Sequence, residues 1–265
     1  MSRDIRIIVA THKRYKMPED TIYLPLHVGR LNKQDIGYVG DNTGDNISEK
    51  NSYYNEMTGV YWAWKNLYAD YIGLAHYRRH FKTNTHKRDK DPYRLIASRI
   101  DIEKLLNKYD VILPQKRFYY IETNRSHFEH LPYSISSDLT CLQQVIAEVS
   151  PEYSKALDNM LQRHSAHMFN MFIMKREIFC KYCEWVFSIL GELDKRIDMS
   201  NRIPIQARYY VSEFLMDTWI ETNKIKYGEL KVLFIENECF AKKGWMALKR
   251  RLKINYAEQK QFTQH

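Results

Sequence analysis

The chain has 265 residues, which suits one large domain or two small ones and is enough to bury a sizeable core. Hydrophobic residues make up 44% of the sequence and exclude general disorder, while 9 Gly and 7 Pro exclude collagen-like and low-complexity classes. The formal net charge is +9. Because a buried Tyr needs a partner for its hydroxyl, the 20 Tyr and 11 Phe favour a polar cleft lined with aromatic rings.

Signals for export or metal binding are weak. No apolar run approaches the roughly 18 residues that span a bilayer, and the first ten residues lack the apolar stretch of a signal peptide. We therefore expect a cytoplasmic protein. Cys180 and Cys183 form a CxxC inside a predicted helix, but no second pair or histidine cluster completes a zinc site, so ordinary reduced thiols are expected.

In chain order, the hydrophobic pattern predicts alternating strands and helices. Strands are expected at 5–10, 37–40, 71–75, 110–114, 168–174 and 231–235. Helices are expected at 55–67, 102–108, 138–149, 151–163, 175–190 and 206–222. A charged loop at 82–94 and an aromatic, basic loop at 116–132 interrupt the pattern. The alternation predicts an α/β fold with a mostly parallel central sheet flanked by helices, in which ligands bind at the carboxyl ends of the strands.

Polar residues gather where three of these strands end. The candidates for ligand contact are Thr11, His12, Asp41, Asn42, Asp45, Asn46, His76, Tyr77, Arg78 and Arg79. The two arginines carry the strongest signal, because a guanidinium is a fixed fork of donors that matches phosphate oxygens and stabilises a diphosphate leaving group. The alternative for this pair is a solvated basic loop with one ordinary ion pair. No GxGxxG or GxxxxGK[ST] motif is present.

Three carboxylates are candidates for a catalytic base. Glu213 and Asp217 are four residues apart on a predicted helix and so share a face, where apolar neighbours would raise the pKa of a partly buried carboxyl. The alternative is two solvated acids paired with Lys or Arg. Glu56 lies near a helix start, where it is a reserve base or a capping carboxylate. Asn170 lies in an apolar strand and needs partners, either a sugar hydroxyl or two loops that it ties together.

The segment 242–253 carries six positive charges in twelve residues, with Trp245, Leu248 and Leu252 at helical spacing. This pattern predicts a helix on an anionic membrane surface, a nucleic-acid patch, or a solvated tail. We therefore divide the chain into a domain at 1–240 and a basic amphipathic tail at 241–265.

Several blocks together resemble a bacterial capsular and exopolysaccharide biosynthesis family that was long labelled a domain of unknown function and is associated with galactofuranosyltransferases. The matching blocks are IIVATHK (7–13), YLPLHVG (23–29), DNTGDNIS (41–48), NE (55–56), YWAWKN (61–66), YIGLAHYRR (71–79), FNMFIM (169–174) and SEFL (212–215). The resemblance covers roughly residues 5 to 236. It implies a GT-A-like single domain that transfers galactofuranose from UDP-galactofuranose to a lipid-linked glycan acceptor with inversion.

The resemblance gives the candidate residues their roles. Thr11, His12 and the loop 41–46 would hold uridine and ribose, and Arg78 and Arg79 would clamp the diphosphate. His76 and Tyr77 would line the sugar end, and Asn170 would contact the donor sugar or the acceptor. Glu213 is the first choice of base, with Glu56 and Asp217 in reserve.

The expected activity needs no metal, because the strand that would carry Asp-x-Asp in other GT-A enzymes ends here in His-Tyr-Arg-Arg. Asp41 and Asp45 keep Mg²⁺ or Mn²⁺ open as an alternative. The expected partners are a UDP-sugar, a lipid-linked glycan and the inner face of an anionic membrane, without nucleic acid. The competing hypotheses are a transferase that uses UDP-galactopyranose or UDP-glucose, a basic nucleic-acid-binding module, and an inactive scaffold.

Overall fold

The structure is a computed structural model that describes residues 3–85, 88–131, 134–200, 202 and 210–236. Contacts between residues divide the chain into two units, Met1–Leu233 and Phe234–His265. Of the second unit only residues 234–236 are described, so the proposed tail at 241–265 lies outside the described residues.

The strands and helices of the described residues are numbered in chain order. The strands are β1 Ile5–Thr11, β2 Tyr23–His27, β3 Val39–Gly40, β4 Tyr71–His76, β5 Arg79–Phe81, β6 Val111–Pro114, β7 Arg117–Phe118, β8 Ser165–Ala166, β9 Phe172–Lys175, β10 Gly228–Leu230 and β11 Val232–Phe234. The α-helices are α1 Asn51–Tyr54, α2 Met57–Asn66, α3 Arg99–Leu106, α4 Asn124–Glu129, α5 Ser136–Val149, α6 Ser154–Gln162, α7 Arg176–Arg196 and α8 Leu215–Thr222.

A mixed, mostly parallel sheet forms the centre of the first unit, with the strand order β10-β6-β9-β4-β1-β2-β3. β1 runs parallel to β2 and β4, β2 to β3, and β6 to β10, whereas β9 is antiparallel to β4 and β6. β5 turns back against the end of β4 and also pairs with β11. This sheet and its flanking helices confirm the predicted fold class.

Both faces of the sheet are buried, as the apolar run in β1 indicates. Ile8 and Ala10 belong to the hydrophobic cluster that includes residues of α2, α5 and α7, while Ile7 and Val9 are buried on the other face. α2 packs closely on the sheet at Gly59, where a Cβ atom would lie 2.9 Å from Val28 Cγ1. This close approach fixes the start of α2 relative to the sheet.

The structure corrects two predicted elements that carry candidate residues. The strand expected at 168–174 begins only at 172, because Phe169 and Asn170 have φ of 78° and 53°, which ends the extended conformation. The helix expected at 206–222 is a short 3-10 helix, Tyr210–Phe214, followed by α8, and residues 206–209 of the expected helix lie outside the described residues. Asn170 therefore lies at a corner, and Glu213 and Asp217 do not share one regular helical face.

Other differences are smaller. β2, β5 and β10 were not predicted as strands, and the expected loop at 116–132 contains β7 and α4. The expected loop at 82–94 includes part of a 3-10 helix, Pro92–Leu95. The helix predicted at 55–67 begins at Met57, which places Glu56 at its N-cap position.

Candidate active site

β4 and β5 form a tight hairpin in which His76 pairs with Arg79 and Tyr77 and Arg78 make the turn. The side chains of the two arginines therefore have different surroundings. Arg78 is exposed, and its guanidinium carbon lies 5.0 Å from the centre of the Tyr77 ring. Arg79 is half-buried and lies 4.6 Å above the ring of Phe169. Of the two arginines, Arg78 is thus exposed beside Tyr77 and Arg79 is half-buried over Phe169, and their contact with a diphosphate stays a prediction.

His76 connects this hairpin to the corner before β9. Its Nε2 lies 2.6 Å from the carbonyl oxygen of Phe169, and since a carbonyl only accepts, Nε2 carries the hydrogen. Burial lowers the pKa of His76. The negative charge of Glu56 acts to raise this pKa, whereas the positive charges of Arg79 and Arg78 lower it further. His76 is therefore a neutral donor that holds the corner in place.

The corner at Phe169 and Asn170 is strained, because two consecutive non-glycine residues have positive φ. Nδ2 of Asn170 donates a hydrogen bond to Oε1 of Glu56 at 2.8 Å and also lies 3.3 Å from Oγ of Ser212. Such strain costs on the order of 1–3 kcal/mol per residue and clusters at functional sites. Three separate segments of the chain thus meet at one buried amide.

Glu213 is brought to the same corner. Its Oε2 accepts the backbone N–H of Phe169 at 3.5 Å, and burial, with a smaller contribution from the charge of Glu56, raises the pKa of Glu213 to about 7. The hydrogen bond from Phe169, followed by the charges of Arg79 and Arg117, opposes this rise of the pKa only in part. A half-buried carboxyl that exchanges its proton near neutral pH has the chemistry of a general base. The structure therefore brings Glu213, Glu56, Asn170, His76 and Arg79, which come from separate blocks of sequence, to one corner.

Asp217 occupies a different environment. It is only 6% exposed, and its carboxylate accepts the backbone N–H of His167 at 2.8 Å and contacts Nδ1 of the same histidine. Although burial alone would raise the pKa of Asp217, the hydrogen bonds and charge of His167 hold it below its usual value. A buried, paired carboxylate is a poor proton acceptor. The geometry therefore gives Asp217 a structural role and leaves Glu213 as the candidate base.

Sequence reasoning missed His167, which links two acids inside the protein. Its side chain is 1% exposed; Nδ1 faces Asp217, and Nε2 lies 2.9 Å from Oε1 of Glu229. The ring also meets Tyr227 edge-on at 5.0 Å. Its position two residues before the FNMFIM block was the available signal in the sequence. This network fixes the chain just before the strained corner.

Asp41 is fully buried, and both of its oxygens are occupied. They accept the backbone N–H groups of Gly29 and Arg30 at 2.7 and 3.0 Å and the hydroxyls of Ser48 and Thr58 at 2.5 and 2.6 Å. These four bonds order the loop beside α2. Asp41 is therefore corrected from a predicted donor or metal contact to a residue that shapes the loop.

The rest of the loop docks on α2. Oδ1 of the exposed Asp45 accepts the Tyr61 hydroxyl at 3.1 Å, and the Asn66 side chain bonds the Asp45 backbone at 2.8 and 3.2 Å. The side chain of Asn46 bonds backbone groups of the loop itself, and Asn42 is half-buried. Their contact with a nucleotide stays a prediction.

At the end of β1, Thr11 is buried, and its hydroxyl donates to the carbonyl of Lys13 at 2.7 Å. His12 is exposed and meets the ring of Tyr77 edge-on at 5.3 Å. Tyr15 also packs edge-on against Tyr77, with the two ring centres 5.0 Å apart. Tyr77 is thus a buried aromatic support for the exposed His12 and Arg78.

No group of His, Cys, Asp and Glu in the described ranges has the arrangement of a metal site, and no helix of those ranges is long and apolar enough to cross a membrane. Cys141, Cys180 and Cys183 are free thiols. Burial, the largest influence, raises the pKa of Cys183 well above its usual value. Cys183 therefore has the properties expected of an ordinary buried thiol.

Comparisons with known proteins assign the chain to a family and identify a similar solved structure. Residues 6–224 match the family described as domain of unknown function DUF4422, and the chain belongs to this family. It is similar to the apo structure of the bifunctional glycosyltransferase WbbM, with 32% sequence identity over 89% of this chain and a TM-score of 0.80. The chain spans 46% of that longer chain. No curated protein matches it. These findings confirm the glycosyltransferase-like fold that the resemblance implied.

Proposed function

We propose that the chain is an inverting glycosyltransferase that moves galactofuranose from UDP-galactofuranose to a lipid-linked glycan acceptor in capsule, O-antigen or exopolysaccharide synthesis. The observation that carries this proposal is Glu213, whose pKa is raised to about 7 at the same corner that Arg79 covers. The similarity to a glycosyltransferase at 32% identity supports the same class of chemistry.

The reaction is a single in-line displacement. Glu213 accepts the proton of the acceptor hydroxyl while the acceptor oxygen bonds the anomeric carbon of the sugar. The bond from that carbon to the diphosphate breaks, and UDP leaves with the electron pair. Arg78 and Arg79 stabilise the negative charge that develops on the diphosphate, because a guanidinium presents a fixed fork of donors to phosphate oxygens. One displacement on an α-linked donor gives a β product.

Metal-independent transfer is part of the proposal, because the hairpin supplies two permanent positive charges where other GT-A enzymes use acids and a metal. Mg²⁺ or Mn²⁺ bound by residues such as Asp45 is the alternative. Transfer measured in EDTA tests this point. We expect the rate to persist, whereas a loss of rate that Mn²⁺ restores would contradict it.

The proposed lipid-linked acceptor also implies where in the cell the protein acts. A lipid-linked acceptor would hold the protein at the cytoplasmic face of a bacterial membrane, with the basic segment 242–253 as a contact for anionic lipid. That segment lies outside the described residues.

A donor panel tests the proposed function most directly. UDP release and product NMR are followed with UDP-galactofuranose, UDP-galactopyranose and UDP-glucose in the presence of a glycan acceptor. We expect turnover and a β-furanosyl product only with the first. Preference for a pyranose donor would support the second transferase hypothesis. Nucleic-acid binding that weakens with salt, without UDP binding, would support a binding module, and a folded protein without turnover would be a scaffold.

A further inference from the structure

Three large apolar side chains at the end of β7 and in the residues directly after it are strongly exposed. Phe118, Tyr120 and Ile121, here called the aromatic tip, are 61%, 86% and 62% exposed, and the rings of Phe118 and Tyr120 lie 6.5 Å apart. The other strongly exposed apolar residues of the described ranges are scattered along the chain: Leu31, Val39, Tyr68, Ile100 and Val149. A contiguous apolar cluster marks an interaction surface, whereas single exposed residues do not.

The aromatic tip stands on an ordered base. β7 pairs with β8, and the backbone N–H of Tyr119 donates to His164 at 2.8 Å. Tyr119 points inward and stacks on His127, with ring centres 3.8 Å apart. The side chain of Asn124 donates to Met160 at 2.7 Å and holds the following helix. The protrusion of the tip is therefore fixed by the fold.

The charges around the aromatic tip favour an anionic partner. Lys116 and Arg117 precede it, and no acid occurs from 115 to 121. The next acid, Glu122, is occupied by two histidines, with His127 and His130 nitrogens 2.7 and 2.9 Å from its oxygens. Aromatic and aliphatic side chains beside basic residues are typical of protein segments that enter the headgroup region of a bilayer.

The same segment borders the candidate active site. Arg117 is close enough to Glu213 to act on its pKa, and β8 leads through His167 to the corner at Phe169. A surface held against the aromatic tip would therefore lie beside the candidate base.

We infer that Phe118, Tyr120 and Ile121 insert into an anionic lipid surface and set the candidate active site beside its headgroups. A glycan platform is the weaker interpretation, because Ile121 offers no polar atom and the nearest carboxylate, Glu122, is already paired. The inference concerns a surface separate from 242–253 and holds whichever donor the protein uses.

The test is co-sedimentation of the full chain with phosphatidylcholine vesicles that contain or lack phosphatidylglycerol. The triple variant Phe118→Gln, Tyr120→Asn, Ile121→Gln removes the tip, and Asn suits position 120 because its φ is 54°. The matched control Tyr68→Gln, Ile100→Gln removes two side chains that are each 77% exposed. We expect binding to anionic vesicles to fall by at least about tenfold in the triple variant and to stay unchanged in the control.

Two further readouts keep folding and catalysis separate. The melting temperature and the UDP release without vesicles should match the wild type, so that failure of the proposed function leaves the vesicle result interpretable. Phe118→Trp retains an aromatic tip, and its emission should shift to the blue with anionic vesicles.

The inference is overturned if the triple variant binds vesicles like the wild type, if the wild type binds none, or if Phe118→Trp shows no shift. Loss of affinity for a water-soluble glycan with vesicle binding intact would instead assign the tip to sugar.

Discussion

Asn170 donates a hydrogen bond to Glu56 across a sequence separation of 114 residues, and the same amide lies 3.3 Å from Ser212 beside Glu213. The corner before β9, the start of α2 and the 3-10 helix Tyr210–Phe214 therefore share one buried polar contact. Since Glu56 also raises the pKa of Glu213, this contact places the charge that tunes the candidate base.

Glu56→Gln tests this tuning. The amide oxygen of Gln can still accept from Asn170, but the negative charge near Glu213 is gone. Because that charge adds to the effect of burial on the pKa of Glu213, the acid limb of the rate profile should move from about 7 to lower pH. The plateau rate should stay within a few-fold, which a pH series of UDP release measures.

The matched control is Glu177→Gln. The Glu177 side chain is 79% exposed, and its ion pair with Lys175 is long, with 3.7 Å between Nζ and Oε2. Its pH profile should equal that of the wild type. A plateau reduced about a hundredfold in Glu56→Gln would instead make Glu56 the base.

Removal of either hairpin arginine should weaken UDP binding. Charge-assisted hydrogen bonds contribute roughly 1.5–3 kcal/mol, so Arg78→Ala and Arg79→Ala should each lower affinity about tenfold or more. Isothermal calorimetry with UDP measures this change. Arg94→Ala, at a side chain that is 76% exposed, serves as the control. Unchanged affinity in both hairpin variants would exclude the clamp.

Asp217→Asn should destabilise the fold. The substitution removes the buried carboxylate from His167 and leaves Glu229, whose side chain is 34% exposed, as its remaining acid partner, and breaking a buried pair costs up to about 3–5 kcal/mol. Urea unfolding should show this loss, and the turnover per folded molecule should remain. Asp35→Asn, 68% exposed, is the surface control. A stable but inactive Asp217→Asn would return Asp217 to the candidate bases.

The raised pKa of Glu213 predicts that replacing this carboxyl with a neutral side chain increases the free energy of unfolding. With an ordinary value of 4.5 when unfolded and about 7 when folded, the folded state retains a proton that the unfolded chain releases. The resulting penalty grows as the pH rises between these values and is complete above 7. Glu213→Gln should therefore be more stable than the wild type by roughly 1–3 kcal/mol at pH 8 and show no such gain below pH 4.5. Denaturant unfolding at both pH values checks this.

The sequence predicted the fold class because apolar runs such as β1, typical of strands buried on both faces, alternate along the chain with helical segments. The position of His76 and Arg79 at one edge of the sheet was predictable, because His76 ends β4 and Arg79 follows it by three residues. Short strands such as β2 and β10 were missed, since Pro25 and the charged Glu229 interrupt their apolar pattern.

The roles of the acids were harder to predict. Helical spacing predicted Glu213 and Asp217 on one helix face. Residues 210–214 instead form a 3-10 helix, and the carboxylate of Asp217 contacts His167. Likewise, the turn chemistry around Asp41 was visible, but the four donors that occupy it come from three separate segments. Such assignments depend on tertiary contacts that no local pattern contains.

The pH dependence of single-turnover transfer by wild type and Glu213→Gln tests the central claim most directly. With donor saturation confirmed by calorimetry, the wild-type rate should rise through a midpoint near pH 7, where Glu213 loses its proton. Glu213→Gln should bind donor normally, transfer at least about a hundredfold more slowly, and lose that midpoint. A Glu213→Gln variant that transfers at the wild-type rate with the same midpoint would show that another group takes the acceptor proton.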